Sequence, residues 1–361
     1  MSDSALMQRA LRLAERGRGQ TPPNPMVGAV VVSDEGVVVG DGYHQRAGLP
    51  HAEVRALDAA GARARGATLY CTLEPCCHTG RTGPCVERIA AAGVRHVVAA
   101  TVDPNPLVNG AGLDWLRQRG IGVTVGVERD TATRLNAPFF MRMRKHRPFV
   151  IAKAAVSLDG RIAAGPGVRT EISGAAARRA VQRTRAEVDA VGIGVGTLLA
   201  DDPVLTVRDV YRSRPLIRAV FDRGLRTPPA ARLLATTGQG PVFVLTSGAA
   251  IRELPQEVEA LQAAGAQVEA SGDGSLPAAL RRLADLGVSS LLLEGGAALH
   301  AAAWDARMID RVQLYVAPTI LGEAGVPLFG GRPFSVRDLH DCRIEPCGSD
   351  VLIEGDVHRI D

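Results

Sequence analysis

At 361 residues the chain is about twice the length of a typical domain, so two domains are expected. Hydrophobic residues make up 46% and charged residues 22%, an ordinary globular balance, and aromatic residues are scarce at 4%. The net charge of +4 suits a phosphorylated small molecule but is too small to argue for nucleic acid, and no uninterrupted run of about 18 apolar residues marks a membrane span.

The opening MSDSALMQRALRLAERGRG places Leu6, Ala10, Leu13 and Ala14 at helical spacing with charges between them. This is an amphipathic helix rather than an export signal, and the protein is read as cytoplasmic. Next, VGAVVVSDEGVVVGDGYH contains two β-branched runs joined at Asp34-Glu35-Gly36, a hairpin pattern. A helix is expected from His51 to about Arg65, a strand over 67–73, and then a loop rich in Cys, Gly and Pro. A helix over 85–92 and a strand over 94–102 follow, DPNP breaks the chain at 103–106, and one more helix and strand end near Val127. Strands alternating with helices predict an α/β layer structure with some parallel pairing. The charged segment RMRKHRP (142–148) reads as a solvated linker, since no interleaved aromatics support an RNA-binding patch. The second half opens with FVIAKAAVSLDGRIA and places strands near 188–195, 216–222, 241–246, 288–294 and 310–317, with helices between several of them.

Four of the six cysteines, Cys71, Cys76, Cys77 and Cys85, fall within fifteen residues, which in a chain without an export signal points to metal binding or catalysis more than to disulfides. His51, Cys76 and Cys85 make a three-ligand zinc set that leaves a fourth position for water. Cys77 or His78 could instead close the set as a structural site. Glu53, two residues from His51, favours the catalytic alternative: zinc lowers the pKa of a bound water to about 7, and a nearby carboxylate can move its proton. The pattern His51-Ala52-Glu53 followed by Pro75-Cys76 matches the signature of zinc nucleobase deaminases, except that the second cysteine lies nine positions on. A second EPC at 345–347 has no HAE partner and is read as chance.

The second half is less explicit. GIGVGTLLADDPVLTVR (192–208) has glycines after a strand, but their spacing is not G-x-G-x-x-G and Asp201-Asp202-Pro203 soon stops a helix, so a Rossmann fold is not indicated. LLLEGGAALHAAAW (291–304) reads as strand, Gly-Gly turn and helix, which suits either a phosphate at the helix start or simply a tight turn.

Taken together, PPNPMVGAVVV, HAEV, TLEPCCHTGRTGPC and DPNP in the first half resemble the bifunctional riboflavin-biosynthesis deaminase–reductase family. In the second half KAAVSLDGR (153–161), GVGTLLADDPVLTVR (194–208), FD (221–222), LEGGAAL (293–299) and VAPTILG (316–322) resemble the same family. The resemblance implies an α/β chain with a cytidine-deaminase-like domain over 1–146 and a dihydrofolate-reductase-like domain over 147–361. It implies one zinc per chain on His51, Cys76 and Cys85, with Glu53 as proton shuttle and Asn24 lining a pyrimidine pocket. It implies NADPH contacts at Ala155, Glu171, Thr197, Asp201, Asp222, Gly295 and Gly296. Substrate contacts are implied at Lys153, Asp159, Arg169, Arg185, Leu205, Arg208 and Glu294. The arginines agree with the chemistry, because a guanidinium fork matches a sugar phosphate. Arg169-Thr170-Glu171 departs from the Ser-x-Trp that relatives often carry, and an acidic Glu171 beside a cofactor phosphate would be unfavourable unless it points away. The implied reaction is deamination of 2,5-diamino-6-(ribosylamino)pyrimidin-4-one 5′-phosphate followed by reduction of its ribosyl group. The implied partners are this small molecule and a second copy of the chain, paired through the reductase domain.

Overall fold

The computed structural model describes residues 1–78 and 83–359; positions 79–82 of the Cys76–Cys85 loop, part of the family-like stretch, lie outside the described residues. The chain divides into two compact units, Met1–Lys145 and His146–Arg359.

In the first unit α1 (Asp3–Glu15) leads into β1 (Gly28–Val32) and β2 (Val38–Tyr43), which pair antiparallel. There follow α2 (Ala52–Ala60), β3 (Thr68–Cys71), α3 (Cys85–Ala91), β4 (His96–Ala99), α4 (Ala111–Arg117), β5 (Gly122–Val125), α5 (Arg129–Leu135) and α6 (Ala137–Lys145). The sheet order is β2-β1-β3-β4-β5. β1 runs antiparallel to both neighbours while β3, β4 and β5 are parallel. So β2, β3, β4 and β5 all end at one edge of the sheet, where β1 begins.

Side-chain alternation along the strands sorts the helices onto two faces. Ala29, Val31, Leu69 and Val97 share a core with Ala56 and Leu57 of α2 and with Val86 and Ile89 of α3. Val30, Val32, Tyr70 and Val98 face Leu6, Met7 and Ala10 of α1. Glycines on the strands set how closely the helices approach. A Cβ on Gly28 would stand 1.9 Å from the Ala10 carbonyl oxygen of α1, and one on Gly40 would stand 2.3 Å from the Ala56 carbonyl oxygen of α2.

The segment expected to be a linker is helical as far as Lys145. Phe139 and Phe140 are buried in the first core, and their anchoring carries the charged residues after them into the last turns of α6.

The second unit contains β6 (Phe149–Ser157), β7 (Arg161–Ala163), α7 (Ala175–Glu187), β8 (Ala190–Gly194), α8 (Val195–Asp201), β9 (Ile217–Phe221), β10 (Val242–Thr246), α9 (Gly248–Glu253) and α10 (Pro255–Ala263). It continues with β11 (Gln267–Ala270), α11 (Leu276–Asp285), β12 (Ser290–Gly295), α12 (Ala297–Asp305), β13 (Arg311–Ala317), β14 (Val326–Pro327), β15 (His340–Cys347) and β16 (Asp350–Asp356). Its main sheet has the order β11-β10-β9-β8-β12-β6-β13-β16-β15. The strands from β11 to β13 are parallel, and β16 pairs antiparallel with β13 and β15. Insertion of β12 between β8 and β6 reverses the strand order there, the kind of crevice where open α/β sheets bind ligands. The sequence analysis did not anticipate β11, β15 or β16. β11 has no buried residue, and β15 is an exposed edge whose sequence HDCRIEPC carries a proline and no apolar alternation.

The close approach of α1 makes Gly28 a sharp test of this packing. In a Trp304→Phe background, where Trp115 alone reports, Gly28→Ala should destabilise the first unit by about 3 kcal/mol in urea titration, because backbone atoms must move. Gly36→Ala, with open space around it and φ of 77°, should cost only about 1 kcal/mol. Equal losses would contradict the packing described.

Candidate active sites in the two halves

The first site forms where β2, β3 and β4 end. His51 is the N-cap residue of α2, in extended backbone with no side-chain capping bond, and Glu53 lies in the first turn. Pro75 and Cys76 follow β3, and Cys85 opens α3. The His51 Nδ1 atom lies 3.2 Å from Cys85 Sγ and 3.6 Å from Cys76 Sγ, and the Cys85 amide donates to Cys76 Sγ at 3.4 Å. All three potential ligand atoms lie within 4.8 Å of one another. A tetrahedral zinc with bonds of ~2.0–2.3 Å needs ligand atoms ~3.6–3.8 Å apart, so the set fits the ion with small adjustment. Hydrogen bonding from the Cys85 thiol holds Cys76 well below the ordinary thiol range, at about 4, and the bond to Cys76 raises His51. Cys85 is pushed up by that bond to Cys76 and by burial. A metal ion would favour the deprotonated form of both sulfurs.

Cys77 does not join the set: its sulfur lies 3.9 Å from the Leu107 carbonyl oxygen. His78 lines the adjoining cavity, with its Nδ1 buried and unpartnered, but it is not among the grouped ligands. Among the described residues the set therefore has three members.

A cavity of about 300 Å³ opens beside these ligands. Glu53 lines it and is buried, with Oε2 lacking any hydrogen-bond partner, and burial pushes its carboxyl above the usual range. Beside His51, with ring centroids 5.3 Å apart, His44 has its Nδ1 3.3 Å from the Pro50 carbonyl oxygen and its Nε2 3.1 Å from Asn24 Nδ2. Burial pushes His44 below its ordinary value, which favours a neutral ring that donates to Pro50 and accepts from Asn24. The Asn24 side-chain oxygen then remains available to accept a ligand N–H.

Sequence reasoning did not single out Glu74 or Asp103. The buried Glu74 carboxylate accepts from the backbone N–H groups of Asp103, Gly110, Gly112 and Leu113 at 2.9–3.3 Å. It thereby ties the end of β3 to the loop after β4, which brings Asp103 and Asn105 to the cavity wall. Burial raises Asp103 to about 7. The signal available was DPNP following a parallel strand, read as a chain break and as part of the family resemblance but with no role given to Asp103.

In the second unit, Arg185 on α7 forms a two-pronged ion pair with Glu294 at the end of β12, with Nη2 to Oε2 at 2.8 Å, and also donates to the Thr206 carbonyl. Burial would raise Glu294, but Arg185 outweighs it and holds the carboxylate below its usual range. Lys153 and Ala155 lie on one face of β6; burial pushes Lys153 down, opposed by the attraction of Glu294. Thr197 packs against the Gly295–Gly296 turn, where a Cβ on Gly296 would stand 2.7 Å from Thr197 Oγ1. Arg169, Arg185, Asp201, Leu205 and Arg208 line a cavity of about 310 Å³.

Three further anticipated residues, Asp159, Asp222 and Glu171, lie outside the lining of that cavity, and Asp222 Oδ1 is buried without a partner. Both Asp159 oxygens are taken by Ser157 Oγ and the Leu321 and Gly322 amides, so it braces a loop. Asp222 is buried, and its Oδ2 accepts from the amide and hydroxyl of Thr227. Glu171 is exposed, 4.0 Å from Arg178, and outside the cavity lining.

Family models agree with both halves. Residues 1–101 match the cytidine and deoxycytidylate deaminase zinc-binding region, and residues 148–353 match the RibD C-terminal domain. The riboflavin biosynthesis protein RibD of Aquifex aeolicus is 42% identical over 97% of both chains. The chain belongs to the RibD family. The RibD of Escherichia coli is also 42% identical, over 89% of both chains. The RibD structure of Acinetobacter baumannii superposes with a TM-score of 0.86 at 37% identity over 98% of each chain. A Thermotoga maritima structure, described as a diaminohydroxyphosphoribosylaminopyrimidine deaminase/5-amino-6-(5-phosphoribosylamino)uracil reductase, gives 0.82 at 35% identity, again over 98% of each chain. The family makes this chain a bifunctional deaminase and reductase of riboflavin biosynthesis, with a zinc-binding deaminase half and a reductase half.

Replacing Glu74 with Gln leaves two backbone N–H groups facing an amide donor. Glu74→Gln should destabilise the first unit by about 2–4 kcal/mol in urea and raise KM for deamination more than it lowers kcat. Unchanged stability would remove the anchoring role.

Proposed function

We propose that the first domain, over 1–146, deaminates 2,5-diamino-6-(ribosylamino)pyrimidin-4-one 5′-phosphate. In this reading the second domain, over 147–361, then reduces the ribosyl group to ribityl with NADPH. The observation that carries the first step is the unpartnered Glu53 Oε2 in a cavity bordered by His51, Cys76 and Cys85.

His51, Cys76 and Cys85 would hold one zinc per chain. Bound there, zinc supplies a water acidified to a pKa of about 7. Glu53 takes one proton from water at Oε2 and passes it to the ring nitrogen, then carries the second proton, from the new C–O–H group, to the departing amine. A C–O bond forms at the carbon bearing the 2-amino group, the C–N bond breaks, and ammonia leaves. Asn24 Oδ1 orients the ring by accepting a pyrimidine N–H, and Asp103 and Asn105 bound the opposite edge.

In the second domain NADPH supplies the hydride. Thr197 and the Gly295–Gly296 turn, at the start of α12, would receive a cofactor phosphate on free backbone N–H groups. Glu294 fixes the Arg185 fork, and Lys153 lies within the field of both. Arg169, Arg208 and Leu205 bound the pocket for the sugar phosphate. The same reading carries a cytoplasmic location and a homodimer formed through the second domain.

The test follows ammonia release from zinc-loaded protein without NADPH, then NADPH oxidation after its addition. Both signals, in that order, are expected. Glu53→Gln should keep one zinc per chain by elemental analysis and lose about 10²-fold or more in ammonia release. Full activity in that variant would overturn the proton-shuttle role, and loss of zinc would recast Glu53 as structural.

A further inference from the structure

The 310 Å³ cavity of the second unit has one more arginine on its wall, Arg232, which neither the motif spacing nor the resemblance marks. Of the four arginines lining the cavity, Arg185 is neutralised by Glu294. Among the described residues, the guanidinium groups of Arg169, Arg208 and Arg232 make no hydrogen bond or ion pair. Two carboxylates, Asp201 and Asp202, face these three unmatched cations. The cavity therefore keeps an excess of positive charge, presented on planar forks that match phosphate oxygens in pairs.

Arg232 is held at this wall by its backbone rather than its side chain. Its N–H donates to Asp202 Oδ1 at 2.9 Å, fastening it to the end of α8. That wall is itself strained. Asp202 and the buried Leu205 both have positive φ, 40° and 57°, a conformation that persists only where surrounding structure imposes it and that gathers at ligand clamps. The exposed side chain is thus free to reach a ligand while its root is fixed.

We infer that Arg232 binds the 5′-phosphate of the ribosyl substrate, completing a three-guanidinium cradle with Arg169 and Arg208; this rests on the substrate reading given above. The anchor to Asp202 uses the backbone amide, so substituting the side chain leaves it in place and isolates the guanidinium.

Calorimetric titration of the full-length, zinc-loaded protein with ribose 5-phosphate and with ribose tests this. Wild type should bind ribose 5-phosphate more tightly than ribose. Arg232→Ala should weaken ribose 5-phosphate binding about tenfold and leave ribose binding unchanged, the loss of one charge-assisted contact. Arg232→Lys, which keeps the charge but not the fork, should fall between. In the coupled assay KM for the phosphorylated substrate should rise with kcat held within about twofold, the mark of a contact made equally in ground and transition states. A wild type that discriminates, with Arg232→Ala binding ribose 5-phosphate as tightly, overturns the role of Arg232 and leaves the substrate reading standing. A wild type that does not discriminate removes the phosphate assignment of this cavity and the role of Arg232 together.

Discussion

Parallel strands all end at one edge of their sheet, so the loops that leave them gather there before the chain crosses back. Both halves of this chain place their chemistry there. In the first, β2, β3 and β4 end at one edge of the sheet, and the segments following them bring His44, His51, Cys76 and Asp103 to one cavity. In the second, β6, β12 and β8 end together at the strand-order reversal and present Lys153, Glu294 and Thr197. Two different reactions thus rest on one geometric rule.

Within the first site, several groups are less satisfied than a structural core would tolerate. A buried polar atom without a partner costs stability, and natural structures keep few of them. Glu53 Oε2 and His78 Nδ1 are two, and both line the cavity. The sulfurs of Cys76 and Cys85 both lie within 3.6 Å of one imidazole nitrogen, an arrangement that a cation would complete. Glu74 is the counterweight: four backbone donors converge on it, so the wall around the unsatisfied groups is rigid even though the groups themselves are not committed.

What could be read from sequence was what is local. His51 and Glu53 lie two residues apart at one helix start, and Cys76 and Cys85 flank a single loop, so spacing alone suggested their meeting. The role of Glu74 was hidden because its donors lie about thirty to forty residues on. The charged stretch 142–148 looked like a linker because its helix is decided by Phe139 and Phe140 upstream. Asp159 and Asp222 belong to motif-like blocks; their bonds to the Leu321, Gly322 and Thr227 amides, and the unpartnered Asp222 Oδ1, are details spacing cannot show. The C-terminal hairpin was missed because an exposed edge strand needs no apolar alternation.

The Arg185–Glu294 pair brings these points together. Burying two charges costs several kcal/mol of desolvation each, and an apolar pair of similar volume often serves stability as well or better. A paired arginine in a cavity wall is therefore weak evidence of structural need. Its two-pronged geometry and the third bond to Thr206 fix the guanidinium plane, and the Glu294 charge cancels its pull on an anion. Arg185 is consequently suited to orientation, while net attraction for a phosphate falls to the arginines of the same cavity that no carboxylate holds. One residue type thus divides into two tasks according to whether a partner has already claimed its charge.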